Sequence, residues 1–465
     1  MRATHRERED TIKKLLIISY HFPPDSAIGA VRPAKFAKHL PEFGWTPVIY
    51  TVNEACYDSC DWSKFEEHLK KIEIYRTKPF PGPLQLYSRL RRKKAGSGEP
   101  KTGAEAREIS RHTAPMKLIS SLLRLPDVHQ GWILDIAMQG RRILRRRGIN
   151  VFMTSGPPMS THLGGLLLKM TTGARWIADF RDPWTSMLEW DDNTFRSDLV
   201  NRIDRRLERM VVKTADAVVC TAPSVTRYFQ TLLSDGQKKK VVTITNGFDS
   251  ADFEHATSRE TDSRKLRICH AGSLYLGRNP EPLFRALSAL MARGAVGRDE
   301  IEVEFIGNQD YNGRSLSTLV EGHGLSGTVV LTGKMPFDKC FERLMQSHAL
   351  LLFAQGQPQA IPGKVFEYLR MNKPILAIID EGDTKDLLRS SHNCFVANPH
   401  EVREVEEKLL KVINTVRENG NQEVSIDHIE QYERRNLTRR LASLLTTENN
   451  HCRPAGGSIG GGRDG

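Results

Sequence analysis

Short apolar runs alternate with longer amphipathic ones along most of this chain, and no other feature narrows the fold as much. KLLIISY (14–20) reads as a strand, VRPAKFAKHLPEFG (31–44) as a helix ending at a glycine, and TPVIYTV (46–52) as a second strand. INVFMTS (149–155) is a third strand and THLGGLLLKMTTG (161–173) a helix. ARWIADF (174–180) and AVVCTA (217–222) are further strands, with an Arg-rich helix at about 196–214 between them. Apolar strands separated by helical segments predict a parallel sheet covered on both faces. The pattern then restarts with KLRICHAG (265–272), PEPLFRALSALMARG (280–294), IEVEFIG (301–307) and VVLTG (329–333). It continues with a helix near 337–347, ALLLFA (349–354), a helix at 363–372 and PILAII (374–379). Two such series predict an α/β protein of two doubly wound, Rossmann-like domains facing each other across a cleft.

A chain of 465 residues suits two or three domains. The polar, turn-rich NGFDSADFEHATSRETDSR places the junction near 250–262, which predicts an N-terminal domain over 1–255 and a C-terminal domain over 256–426. A last helical stretch, 427–446, is expected to pack back on the first domain. Residues 91–113, charged and poor in apolar side chains, read as mobile, and the tail 447–465 as disordered.

Apolar content of 39% and charged content of 27% fit a soluble globular protein. The longest apolar runs are strand-sized, well short of the roughly 20 residues of a membrane-spanning helix. The opening MRATHRERED has no hydrophobic signal core, so a cytoplasmic location is expected. Seven cysteines are scattered, and only Cys56 and Cys60 lie close, without a second pair to complete a zinc site. The net charge of +12 is uneven: residues 81–150 hold fifteen Lys/Arg against five acids, with RRILRRRG (141–148) the densest part. Such a region either docks on polyanions, an acidic membrane surface foremost, or is a solvated basic face. With Trp132 the single aromatic among residues 89–147, the lack of aromatics interleaved with the basic residues argues against nucleic acid as the partner.

Parallel sheets bind ligands at the carboxyl ends of their strands, and four such loops stand out. HFPPDSAIGAVRPAKFA follows the first strand and sets Gly29 ahead of a helix. It matches neither G-x-G-x-x-G nor G-x-x-x-x-G-K-S/T, which weakens both of those nucleotide readings. TSGPPMSTH (154–162) is again a turn opening a helix. DFRDPW (179–184) ends a strand with Asp179, Arg181 and Asp182 together, able to hold a hydroxyl, accept a proton or, the reading chemistry alone favours, form an ion pair. HAGSLYLGRNPEP (270–282) sets Arg278 where a guanidinium could clamp a diphosphate. In QAIPGKVFEYLRMNKPIL (359–376), Pro362-Gly363 shapes a turn, Lys364 opens a helix and Glu367 follows one turn on, on the same face. A cation at a helix N-terminus suits phosphate and a nearby carboxylate suits a ribose diol; a surface lysine and an ordinary helix glutamate fit the same letters.

At these residues the sequence resembles the retaining glycosyltransferases of the GT-B fold, the glycosyl transferases group 1 (family 4). Five blocks carry the resemblance in order: the first loop with the following helix and strand (19–51), DFRDPW, TNGFD (245–249), HAGSLYLGR and IPGKVFEYLRMNKPIL. DFRDPW resembles the branch that builds surface and capsular polysaccharides. The resemblance implies that the donor diphosphate meets Arg278 and Lys364, with Gly272, Ser273 and Gly363 lining the donor site and Glu367 on the ribose. It also implies that the Gly29 loop faces the donor phosphates or the acceptor, and that Asp182 is the acceptor-activating residue. The family commonly has Glu-x7-Glu, whereas this chain has Gln359 eight residues before Glu367; a glutamine can bond a sugar hydroxyl but brings no charge. The implied reaction moves a sugar from a nucleotide-sugar to a lipid-linked or saccharide acceptor, with no metal and no cofactor beyond that substrate. A sugar-nucleotide epimerase on the same scaffold and a non-catalytic polyanion-binding protein are the alternatives.

Overall fold

A computed structural model of the protein describes residues 13–64, 67–83, 86, 121–186, 197–254, 265–274, 277–311, 313–389, 391, 393–419 and 429–446. The expectations for 91–113 and 447–465 lie outside these residues, as do all the basic positions between 89 and 117 and residues 255–262 of the expected junction.

Seven parallel strands form the first sheet: β1 (Lys13–Ser19), β2 (Trp45–Val52), β3 (Glu73–Thr77), β4 (Val151–Gly156), β5 (Arg175–Phe180), β6 (Ala217–Cys220) and β7 (Val241–Thr243), in the spatial order β3-β2-β1-β4-β5-β6-β7. The second half adds β8 (Leu266–Ala271), β9 (Ile301–Ile306), a small hairpin of β10 (Asp310–Tyr311) and β11 (Arg314–Ser315), then β12 (Val329–Gly333), β13 (Ala349–Phe353), β14 (Ile375–Ile378) and β15 (Cys394–Ala397). Its six-stranded sheet runs β12-β9-β8-β13-β14-β15 and is also parallel throughout. The central strands are buried on both faces, which is why Leu15–Ile18 and Leu350–Phe353 are apolar without alternation.

Each sheet has one place where the strand order reverses: between β1 and β4 in the first, and between β8 and β13 in the second. Helix crossovers on opposite faces part at such a point and leave a crevice beyond the carboxyl ends of the two strands. The Gly29 and 156–160 loops therefore crown one crevice. The Gly272–Arg278 and Gln355–Gly363 loops crown the other.

The segment read as one helix over 31–44 divides: an α-helix, Val31–His39, is followed by a 3-10 turn, Leu40–Phe43, and closed by Gly44 at φ +75°. Pro41 has no N–H to give to a carbonyl four residues back, so the last turn tightens. Further on, the helix Arg434–Thr446 seats Leu437, Leu441 and Leu445 among Ile17, Ala37 and Leu40 of the first domain. The segment leading into it crosses at TNGFD, where Phe248 and Tyr432 are bonded backbone to backbone (3.2 Å) and a Cβ on Gly247 would lie 2.0 Å from the Tyr432 carbonyl.

Candidate active site

The second crevice gathers most of the residues singled out for the donor. β8 ends at Ala271, and Gly272 follows with φ +127°. Lys364, the first residue of the helix Lys364–Met371, donates its ammonium to the Ala271 carbonyl. Ser273, half-buried, continues the same loop. Arg278, 6% exposed, donates from Nη2 to Gln357 Oε1 at 3.0 Å, and Gln355 Nε2 donates to the Asn279 carbonyl at 3.0 Å. The loops after β8 and β13 are thus stitched to each other at Arg278.

A turn opens the helix as read from Pro-Gly, but Gly363 does not need to be glycine to make it: its φ of −54° is helical. An added Cβ there would meet nothing within 4 Å, so the ground before the helix is open. The N–H groups of Val365 and Phe366 already donate to the Pro362 and Gly363 carbonyls (3.0 and 3.2 Å). The helix end therefore offers an anion its dipole and the Lys364 ammonium more than a row of unused N–H groups.

Electrostatics set this ground apart. Burial pushes Lys364 down to about 7, and the nearby Arg278 charge adds to the shift. Burial pushes Glu367 up to about 7, with the Arg434 guanidinium pulling the other way and Asp252 reinforcing the rise. His270, fully buried at the end of β8, shares a hydrogen bond with the Leu351 carbonyl (2.9 Å); burial and the Lys364 charge hold it far below the usual imidazole range. An ammonium and a carboxylate that titrate away from their ordinary ranges, beside the Arg278 guanidinium in a crevice, are the arrangement expected of a binding site for a charged ligand. Gln359 Oε1 is sealed from solvent and accepts no hydrogen bond among the described residues, leaving it ready for a hydroxyl donor.

In the first crevice the residues sort differently from the expected ion pair within DFRD. Asp179, fully buried, is gripped by Arg32 (Nη2–Oδ1 2.8 Å) and by Ser155 Oγ (2.8 Å), while Arg32 also donates to the Ile244 and Thr245 carbonyls (2.8 and 2.7 Å). Arg181 instead donates to the Gly29, Gly156 and Pro157 carbonyls. A Cβ on Gly29 would lie 2.2 Å from Arg181 Nη1, so Gly29 makes room for a guanidinium of its own chain. Asp182 remains partly accessible beside it, its carboxyl pushed up by burial and pulled down by the Arg181 charge. The structure brings together Gly272, Ser273, Arg278, Gln359, Gly363, Lys364 and Glu367; Gly29 and Asp182 lie with Arg181 at the ends of the other sheet's strands.

Four participants escaped the sequence reading. Arg434, whose charge acts on Glu367, comes from the C-terminal helix, with nothing local to mark it. Gln357 was hidden in a polar loop. The pair His21 Nδ1–Asp25 Oδ2 (2.6 Å) sits at the end of β1, and its i, i+4 spacing was the one available signal.

Residues 29–247 match the family described as Glycosyl transferase 4-like domain, and residues 265–415 match Glycosyl transferases group 1. Among curated protein sequences nothing matches the chain. Solved structures do: a glycosyltransferase from Rickettsia africae is 13% identical with a TM-score of 0.60, the alignment covering 94% of this chain and 98% of that one. Anabaena HepE in complex with UDP is 13% identical with a TM-score of 0.57, covering 93% and 99%. A protein titled putative UDP-N-acetylglucosamine 2-epimerase from Listeria monocytogenes is 8% identical with a TM-score of 0.53, covering 92% and 95%. The fold is GT-B. With the two family matches in order across most of its length, the chain is a glycosyltransferase, a 4-like domain followed by a group 1 domain.

Proposed function

We propose that this protein is a retaining glycosyltransferase that moves a sugar from a nucleotide-sugar to a lipid-linked or saccharide acceptor in the assembly of a surface polysaccharide or glycolipid. The observation that carries the donor side is the meeting of Arg278, Lys364 and Glu367 at the β8/β13 crevice, where the ammonium has no carboxylate within ion-pair distance among the described residues. A nucleoside diphosphate matches this ground: two adjacent anionic groups for the cations and a diol for the carboxylate. That Anabaena HepE was solved with UDP supports the same reading.

In this reaction the bond from the anomeric carbon to the β-phosphate oxygen breaks, and its electron pair stays on the phosphate. The acceptor oxygen bonds to the same face of that carbon and passes its proton to the departing phosphate. Arg278 and Lys364 stabilise the charge that grows there, which is the largest single contribution such a site can make. Gln359 takes a sugar hydroxyl, and Asp182, across the cleft, orients the acceptor hydroxyl. The scheme uses neither metal nor cofactor. The acceptor is met at an acidic membrane surface on the cytoplasmic side, approached by the basic region within 81–147.

Thermal-shift screening against nucleoside diphosphates and their sugar conjugates tests the donor side. A ligand at one hundred times its dissociation constant adds about 2.7 kcal/mol of stability. No shift with any of them, or equal shifts after Arg278→Ala and Lys364→Ala, overturns the assignment. Incubation with the donor alone separates transfer from epimerisation: a new nucleotide-sugar formed without acceptor would favour the epimerase.

A further inference from the structure

The loop that carries Gln357 and Gln359 is held from behind by a residue that also reaches the other domain. Asp383 begins the helix Asp383–Arg389 of the second domain, and its backbone N–H donates to the Pro358 carbonyl at 2.9 Å. Thr384 Oγ1 donates to the Ala360 carbonyl at 2.8 Å, so Gln359 is gripped on both sides. The approach is close: a Cβ on Gly382 would lie 2.3 Å from the Pro358 carbonyl.

The Asp383 side chain points away from its own domain. Oδ2 accepts from the Ser224 N–H (2.9 Å) and from Ser224 Oγ (2.5 Å), and Oδ1 lies 3.6 Å from Arg227 Nη2. Ser224 and Arg227 belong to the helix Pro223–Thr231, which follows β6 of the first sheet. That helix has no side-chain cap of its own: Ala222 cannot provide one, and Pro223 has no N–H. Its first free donor, at Ser224, is satisfied by a carboxylate from the opposite domain, 5% exposed.

We propose that Asp383 is a positioning residue for the donor loop: by capping the Pro223–Thr231 helix it ties the setting of Gln355–Gly363 to the approach of the two domains. The proposal rests on the reading of that loop as part of the donor site. When the cleft opens, the cap is lost, and the backbone that holds Gln359 and Arg278's partner Gln357 loses its anchor. Closure and loop ordering are then one event.

Ser224→Asp in the full-length protein tests this without touching the second domain, since it sets a carboxylate against Asp383. Hydrogen exchange at residues 356–363 should rise and the radius of gyration from small-angle scattering should increase. Affinity for UDP or GDP, whichever the wild type binds, should fall about tenfold. Asp383→Ala should do the same, whereas Asp383→Asn, still able to cap, should restore protection and compactness. A Ser224→Asp protein as compact and as protected at 356–363 as the wild type overturns the proposal, even if Asp383→Ala fails to fold. If the wild type binds neither nucleotide, the donor reading loses its support, while exchange and scattering still decide the role of Asp383.

Discussion

Gly272 and Lys364 compete for one space: a Cβ on the glycine would lie 2.5 Å from the lysine Nζ, and the glycine holds a φ of +127° that side chains rarely adopt. Gly272→Ala should therefore act twice. The backbone strain should cost about 1–3 kcal/mol of stability. The ammonium, at the end of a flexible chain, should swing away from the Ala271 carbonyl and lose its place at the helix end. Nucleoside diphosphate affinity should drop by about tenfold or more, while Gly363→Ala, with open space and helical φ, should fold normally. Calorimetric titration of both variants checks the contrast.

Lys364 and Glu367 give the empty protein an unusual pH dependence. Lys364 titrates near 7 when folded, against an ordinary 10.5, so the unfolded chain holds the extra proton between those values and stability rises with pH there. Glu367 titrates near 7 against 4.5, so the folded chain holds the extra proton between 4.5 and 7, and stability falls as pH rises through that window. The two contributions meet in a minimum near neutrality. Glu367→Gln should raise stability at pH 8 by on the order of 1–2 kcal/mol, a figure discounted for solvent access. The same variant should weaken nucleoside binding. Denaturant titrations of wild type and variant at pH 5 and pH 8 check it: equal differences at both would remove the account.

The alternation of apolar and amphipathic runs made both sheets readable because their central strands are buried on both sides and are mostly apolar, with Ser155, Asp179 and His270 near their carboxyl ends. The edges were not readable. EIYRT, which forms β3, is half-buried and mixed, and β7 has three residues, so neither stands out from a loop. The Arg278, Lys364 and Glu367 cluster was legible because each follows a strand or opens a helix, positions where side chains converge at a switch point. The partner of Asp179 was not, because Arg32 lies on the first helix and only the folded sheet brings the two together.

That pairing separates two aspartates the sequence sets three residues apart. Removing the Arg32 guanidinium leaves Asp179 charged and fully buried, and the expected cost of Arg32→Met is about 3–5 kcal/mol. Asp182 feels the Arg181 charge but makes no ion pair or hydrogen bond among the described residues, and Arg181 keeps its three carbonyl acceptors, so Asp182→Asn should leave the melting temperature nearly unchanged while transfer to acceptor falls. If Asp182→Asn destabilises as much as Arg32→Met, Asp182 belongs with the scaffold and the acceptor role passes elsewhere.

The basic region gains a shape from the helical run Gly131–Asp135, Ile136–Gly140 and Arg141–Arg147. Trp132, Ile136, Ile143 and Leu144 are buried, whereas Leu134 and Met138, one turn apart, are 57% and 60% exposed. Arg142, Arg145 and Arg146 continue the exposed side. Apolar side chains beside a row of arginines fit a helix lying in the surface of an anionic bilayer, and among the described residues no helix is long and apolar enough to cross one. Each arginine near such a surface contributes about 1 kcal/mol. Arg142→Glu with Arg145→Glu should abolish co-sedimentation with vesicles containing phosphatidylglycerol, and Leu134→Glu with Met138→Glu should weaken it without unfolding the protein, since exposed substitutions cost little. Equal binding of the wild type to neutral phosphatidylcholine vesicles would take the electrostatics out of the docking and leave the arginines as a solvated face.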